Sequence, residues 1–245
     1  VFDLTDRTAL VTGAGQNVGA GIARALASRG ADVVVNDIDP DRARSVADDI
    51  GAHGGRARVS AFDVTDLDAV LAAVAEIGPV DILVNNAGVG GDAPMLVAPF
   101  RTMDPAAWTG PIQVNLYGVL HCCKAVVDGM CERRWGRIIT ISSGAATIGT
   151  RMGVAPYATG KGGGIAFTRT LALEVARDGV TANSLALGLM SRGDDDVDSM
   201  LARTIPVGRT GTPDDAGAAC VWLASDEASW VTGQTIELSG GSATT

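Results

Sequence analysis

Tyr157 and Lys161 stand four residues apart in a segment of helical character, so one face carries a phenol and an ammonium a single turn from each other. A free tyrosine titrates near about 10 and keeps its proton at neutral pH, whereas a neighbouring cation favours the phenolate and would draw that proton toward working pH. Such a pair suits general acid–base chemistry at an alcohol or carbonyl oxygen. Only two tyrosines and two lysines occur in the whole chain, so abundance does not explain the spacing. Gly160, Gly162, Gly163 and Gly164 surround the lysine, and each glycine inside a helix costs on the order of 1 kcal/mol relative to alanine. They imply close approach of a backbone, a cofactor or a neighbouring helix, or else a distorted first turn.

A second chemically suggestive segment lies near the start. The apolar run Ala9 to Val11 passes into Thr12-Gly13-Ala14-Gly15-Gln16-Asn17-Val18-Gly19 and then into a helical pattern. A strand that enters a helix this way leaves backbone N–H groups at the helix N-terminus, where the dipole also favours an anion. That is the context of a pyrophosphate site, with Gly13, Gln16, Asn17, Val18 and Gly19 as candidates, although a glycine-rich turn alone is also an ordinary tight connection. The next strand pattern, Asp32 to Asn36, ends in Asp37 at the distance where a dinucleotide fold sets a carboxylate on the adenosine ribose. Asp37 would bond those hydroxyls and repel a 2′-phosphate. Ile38 follows it rather than an arginine, and Gln16 brings no cation into the loop, so NAD is the expected cofactor. The alternative role for Asp37, capping the turn into Pro40, is already filled by Asp39.

These groups need a scaffold. Ala9 to Val11, Val33 to Val35, Arg58 to Phe62, Asp81 to Val84, Ile138 to Ile141, Thr181 to Leu185 and Thr235 to Leu238 read as seven strands. Between them Val18, Ile22 and Leu26, then Ala43, Val46, Ala47 and Ile50, then Leu67, Val70, Leu71, Val74 and Ile77 form apolar helical faces. Alternation of this kind predicts a parallel sheet with helices on both sides, in a single domain. A capping residue before proline marks three helix starts, at Asp39-Pro40, Asp104-Pro105 and Thr212-Pro213, the last with Asp215 placed for a capping box. Gly188 to Thr204, with the acidic run Asp194, Asp195, Asp196 and Asp198, reads as an irregular lid, its carboxylates solvated rather than metal-binding.

With 245 residues, 47% of them hydrophobic, the chain can bury a sizeable core. No apolar run reaches the length of a membrane span and the N-terminus lacks a signal pattern, so a cytoplasmic protein is expected. A net charge of −9 without a basic stripe argues against nucleic acid. Cys122, Cys123, Cys131 and Cys220 contain no C-x-x-C pair and suit reduced thiols, and two histidines, His53 and His121, make a histidine-rich metal site improbable.

Thr12-Gly13 to Gly19, Asn85-Asn86-Ala87-Gly88, Asn115, Ser142-Ser143, Tyr157 with Lys161, Thr232-Gly233-Gln234-Thr235-Ile236 and Gly240-Gly241 follow one another in an order that resembles the short-chain dehydrogenase/reductase family nearly end to end. The resemblance implies a Rossmann-type, doubly wound seven-stranded sheet of order 3-2-1-4-5-6-7 and a homotetramer built through the long helices, with Val119, Cys123, Val126, Met130, Leu171 and Val175 either in that interface or in the core. It also implies that Asn86, Ala87 and Gly88 lie beside the adenosine ribose and that Asp63 and Val64 hold the adenine edge. Gly188 and Met190 would border the nicotinamide, and Lys161 would hold its ribose. Asn115 would position a water between Lys161 and solvent, and Ser143, rather than Ser142, would bond the substrate oxygen while Tyr157 moves its proton. Asn17 replaces a usual glycine, which asparagine's tolerance of left-handed geometry permits. Leu187 replaces a proline, Arg192 a threonine and Gly160 a serine.

The resulting expectation is hydride transfer between NAD(H) and a secondary alcohol or ketone. A non-catalytic binding module of the same fold is the other class, motivated by Asn17, Leu187 and Arg192. Among substrates, a small neutral hydroxy or keto compound, cyclic or steroid-like, stands against a 3-oxoacyl thioester. Arg133 and Arg134 could dock an anionic carrier, and Asp178 with the Asp194 to Asp198 run would repel one.

Overall fold

The computed structural model describes residues 1–88, 95–191 and 193–244. Seven strands form one parallel sheet: β1 Thr8–Val11, β2 Asp32–Val35, β3 Arg56–Val59, β4 Ile82–Asn85, β5 Gly136–Ser143, β6 Val180–Leu187 and β7 Thr235–Leu238. Their order is β3-β2-β1-β4-β5-β6-β7, as expected. The helices are α1 Asn17–Ala27, α2 Pro40–Ala52, α3 Leu67–Ile77, α4 Thr109–Ile112, α5 Gly118–Glu132, α6 Gly144–Thr147, α7 Ala155–Val175, α8 Asp195–Ala202 and α9 Pro213–Ala224.

Strand side chains alternate between two apolar layers. Val33, Val35, Ile82 and Val84 pack with Ile22, Leu26, Ile50 and Leu223 of α1, α2 and α9. Leu10, Val34 and Leu83 face the other way, against Val70, Val126 and Leu171 of α3, α5 and α7. Val119, Cys123, Val126, Met130, Leu171 and Val175 are all buried in this second layer, so they belong to the core and not to a free helix face. In α3, Leu67 and Leu71 stay exposed while Val70 and Ile77 carry the burial.

Two sequence expectations are corrected. The third strand was expected over Arg58 to Phe62 but ends at Val59, because its partner β2 ends at Val35 and no ladder continues beyond that pair. The Asn36 side chain takes over instead, donating to the carbonyls of Ser60 and Phe62. The expected lid is partly helical: Asp194 caps α8 by accepting the N–H groups of Asp196 and Val197, and Asp195, Asp196 and Asp198 fill its first turn. The acidic run thus complements a helix N-terminus, where carboxylates are favourable. All three capping prolines follow capping side chains as read, and Thr212 and Asp215 form the full capping box. Bidentate pairing with Arg209 holds the Asp215 carboxyl far below the usual range.

Helices α1 and α9 touch through small residues. A Cβ on Gly21 would fall 2.3 Å from Pro213 Cβ, and one on Gly217 2.7 Å from Ala25 Cβ. By contrast, Gly110 has nothing within 4 Å of its added Cβ. We expect Gly21→Leu to lower the urea-unfolding free energy by about 1–3 kcal/mol through overpacking, while Gly110→Ala leaves it unchanged or slightly raised.

Candidate active site

Parallel strands bring their C-terminal ends to one edge of the sheet, and the order reverses between β1 and β4, which is where such sheets open a crevice. Thr12 and Gly13 follow β1, Asp37 follows β2, Asn86 to Gly88 follow β4, Ser143 ends β5 and Gly188 follows β6. The candidates read from sequence therefore converge on one edge.

In the first turn Gly13 has φ +60°, and a Cβ there would lie 2.8 Å from Ala87 Cα, so the segment after β4 presses directly on it. Asn17 adopts φ +46°, the left-handed geometry expected of an asparagine in a glycine position. Gln16, in extended conformation, is the N-cap of α1, leaving the N–H groups of Asn17, Val18 and Gly19 without helical partners. Thr12 organises the turn: its Oγ1 accepts the N–H groups of Asn86 and Ala87 at 3.1 and 3.0 Å. Asn86 Nδ2 returns two bonds, to the carbonyls of Thr12 and Gly13, each 2.9 Å. Thr12 and Asn36 were not among the expected site residues, although both sit at strand ends beside residues that were.

Asp37 is buried and accepts from Gly15 N–H, Asp39 N–H and the Arg42 guanidinium. Arg42 was likewise missed; its position in the first turn of α2, five residues after Asp37, was the available signal. Ile38 is exposed. Asp63 turns back on Thr65, accepting from its N–H and hydroxyl. Val64 is buried against Gly118, and its carbonyl lies 3.0 Å from His121 Nδ1.

The acid–base pair rides on α7, which is fastened to β5 by polar bonds. Ser142 Oγ donates to the Lys161 carbonyl at 3.2 Å, Thr140 and Thr168 hydroxyls meet at 2.9 Å, and Lys161 Nζ donates to the Ile141 carbonyl at 2.7 Å. Ser142 thus spends its hydroxyl on the scaffold. Ser143 caps α6, and its hydroxyl acts to lower the pKa of Tyr157, so the two serines face different partners.

Lys161 Nζ lies 6.0 Å from the Tyr157 ring centroid. Burial lowers its pKa to about 8, because a charged ammonium is disfavoured away from water. The expected downward pull of this lysine on the phenol is not met: burial raises the Tyr157 pKa, and the opposing influence is the Ser143 hydrogen bond. At 6.0 Å, with its proton directed at a carbonyl, the ammonium acts on the phenol too weakly to offset burial.

Asn115 lies in a π-helical turn, Gln113–Tyr117, between α4 and α5. Such bulges recur at functional sites. Its Nδ2 donates to Pro111 O at 2.8 Å, while Oδ1 is buried without a protein partner among the described residues. A Cβ on Gly160 would fall 2.9 Å from Asn115 Cβ, and one on Gly163 3.1 Å from Leu116 Cδ1. Gly160 and Gly163 therefore serve close approach of a neighbouring helix, whereas a Cβ on Gly162 or Gly164 would meet nothing nearer than 3.6 Å. A Cβ on Gly88 would lie 2.9 Å from Asn115 Oδ1 and 3.1 Å from Lys161 Nζ, so both groups border one point.

Gly188 is pinned to the end of β7, its N–H on Leu238 O at 3.0 Å, and Met190 bridges to Gly211. Leu187 completes the β6 ladder beside Ser143 and Leu238. Arg192 lies outside the described residues. Arg133 and Arg134 do not reach this edge. Following α5 into the start of β5, they bond Val80 O with Asp81 and Arg177 O with Asp178 at the opposite end of the sheet. Asp178 lies at that end too, so its part of the repulsion expected at the mouth does not apply.

A family profile described as enoyl-(acyl carrier protein) reductase, of the short-chain dehydrogenase group, matches residues 13–243. The chain belongs to the short-chain dehydrogenase/reductase family. Its relatives include the 3-oxoacyl-[acyl-carrier-protein] reductase of Salmonella typhimurium, 39% identical over 241 residues, covering 96% of each chain. Among solved structures, a 3-oxoacyl-[acyl-carrier protein] reductase of Brucella melitensis with bound NAD superposes at TM-score 0.93 with 31% identity, over 99% of this chain and 94% of that one. A gluconate 5-dehydrogenase of Burkholderia cenocepacia, in complex with NADP and tartrate, superposes at 0.89 with 36% identity, over 98% and 96%. The chain is an oxidoreductase of CH–OH and keto groups, and its solved neighbours bind nicotinamide dinucleotides. The residues fit that group: a close-approach turn at Gly13, free N–H groups on α1, and the buried Asn115 Oδ1 beside Lys161.

Gly88→Ala should place its methyl against Asn115 Oδ1 and Lys161 Nζ. We expect kcat to fall at least about tenfold, corresponding to about 1.4 kcal/mol, in steady-state assays against the wild-type chain.

Proposed function

We propose that the chain transfers a hydride between NAD(H) and a secondary alcohol or ketone, with Tyr157 as general acid and base. The observation that carries this reading is the placement of Tyr157 one helical turn from buried Lys161, with Ser143 ending the strand on which Lys161 is anchored. When bound, the nicotinamide supplies the hydride acceptor or donor. Tyr157 takes the alcohol proton in oxidation and returns it to the carbonyl oxygen in reduction, and Ser143 holds that oxygen and steadies its developing charge. Lys161 holds the nicotinamide ribose. Asn115 positions a water that links Lys161 to solvent, a role supported by the placement of both groups around Gly88. Gly13, Gln16, Asn17, Val18 and Gly19 hold the pyrophosphate, Asp37 and Ile38 border the adenosine ribose with Asn86, Ala87 and Gly88, Asp63 and Val64 flank the adenine, and Gly188 and Met190 the nicotinamide. The preference for NAD rests on Asp37.

The substrate in this reading is an uncharged hydroxy or keto compound with an apolar body. Exposed Ile148 and Met152 lie in the excursion between Ser143 and Tyr157, and Leu96 and Val97 adjoin Ala98, whose N–H bonds the Gly153 carbonyl of that excursion. A 3-oxoacyl thioester is the second reading, favoured by the Salmonella relative. A panel of neutral cyclic ketones and 3-oxoacyl thioesters, assayed with both dinucleotides, decides between them. A cytoplasmic setting is retained, supported by the free thiols of Cys122, Cys123, Cys131 and Cys220, which suit a reducing compartment. No helix among the described residues is long and apolar enough to cross a membrane.

A homotetramer completes the reading, with contacts made by surface residues such as Leu173 of α7, 77% exposed, and Trp230, 98% exposed. Light scattering should give four chains per particle; a monomer would contradict it. On a competent substrate, Tyr157→Phe should lower kcat by about 10²–10⁴, and wild-type speed in that variant ends the proposal. Because the phenol must lose its proton for oxidation and keep it for reduction, oxidation should rise with pH while reduction falls. Ser143→Ala removes the bond that lowers the Tyr157 pKa, so both limbs should move to higher pH.

A further inference from the structure

His121 lies in the first turns of α5, three residues after Gly118 and just beyond the π-helical turn that carries Asn115. Both His121 and Gly118 face the segment that leaves β3. A Cβ on Gly118 would fall 2.8 Å from Val64 Cγ2, and His121 Nδ1 lies 3.0 Å from the Val64 carbonyl. A carbonyl can only accept, so Nδ1 carries the hydrogen and donates it. Tyr117, one turn earlier, flanks the imidazole with 6.1 Å between ring centroids. The other end of the same peptide is also held, because the Thr65 N–H donates to Asp63 Oδ1 at 2.8 Å. His121 and Asp63 thus grip one peptide plane from opposite sides.

The groups so held are chemically specific. Asp63 commits Oδ1 to the N–H and hydroxyl of Thr65, and its Oδ2 has no partner among the described residues. The Val64 N–H has none among them either. A carboxylate oxygen beside an N–H offers an acceptor and a donor side by side. Adenine presents the complement, an amino donor next to a ring-nitrogen acceptor, whereas hypoxanthine reverses both. We infer that His121 is a positioning residue for base recognition: through the Val64–Thr65 peptide it sets Asp63 and Val64 to receive adenine and to refuse hypoxanthine. This rests on the reading that Asp63 and Val64 flank the adenine. A peptide plane released at its carbonyl is free to turn, and the carboxylate bonded to its N–H turns with it.

The test is calorimetric binding of adenosine 5′-monophosphate and inosine 5′-monophosphate to the full chain. Wild type is compared with His121→Phe, which keeps a ring and loses the donor, and with His121→Asn, whose amide nitrogen can stand where Nδ1 stood. Wild type should favour the adenine nucleotide. His121→Phe should weaken that nucleotide by about fivefold, the scale of one hydrogen bond, and change the inosine nucleotide by less than about twofold. His121→Asn should restore the preference. A preference unchanged in His121→Phe, an equal loss for both nucleotides, or a loss that His121→Asn does not restore overturns the inference and leaves the adenine reading standing. Equal binding of the two nucleotides by wild type overturns the adenine reading and the inference with it. If His121→Phe does not fold, His121→Gln, whose amide nitrogen reaches the Nε2 position instead, takes its place with the same supporting and overturning results.

Discussion

The seam between β5 and α7 is the contact on which the rest of the site depends. A lysine carried by a helix is buried against a strand, and its ammonium is satisfied by the strand's own carbonyl. An unpaired charge in that position would be costly, so the hydrogen bond to Ile141 and the tie from Ser142 to the Lys161 backbone fix how α7 lies on the sheet. That fixed seating sets the height of Tyr157 above the end of β5, where Ser143 meets it. Burial lowers the lysine pKa and raises the tyrosine pKa, and each shift favours the uncharged form. The phenol is thereby kept as an acid until a partner in the site draws on it.

The π-helical turn at Asn115 is the second half of the same arrangement. Without side chains at Gly160 and Gly163, α7 can press against that turn, and the turn in exchange directs an asparagine inward with one amide oxygen uncommitted. Each missing side chain weakens the helix locally, and the loss is offset by a helix–helix approach that larger residues would forbid. Gly13 and Ala87 repeat this logic at the other end of the crevice, where backbone meets backbone across β1 and β4.

Polar side chains at the strand ends replace the ladder where it stops. Asn36 receives the chain leaving β3, Thr12 collects the N–H groups leaving β4, and Asp37 gathers the donors around the first turn of α2. Side-chain bonds consequently tie together the strand ends on this half of the sheet edge. The flank formed between Ser143 and Tyr157 is apolar and exposed, which matches the division of labour in a family whose members share a cofactor and differ in substrate.

The alternation of strands and helices, the parallel sheet, the capped helix starts and the shared face of Tyr157 and Lys161 were legible from residue type and spacing, whereas the strand order and the places of Asn115 and Ser143 were implied by the family resemblance. Periodicity and capping are local properties, and a parallel sheet sends every strand end the same way. Other features were decided only by distant segments meeting in space. Arg58 to Phe62 lost its strand end because β2 stops first. Val119 to Met130 proved to be core because α3 covers them, and Arg133, Arg134 and Asp178 fell at the far end of the sheet. Likewise, no spacing rule shows Arg42 closing on Asp37, or Lys161 spending its proton on a carbonyl instead of the phenol. Proximity in sequence sets which groups share a face; burial and the competing partners that folding brings set their charge and their availability.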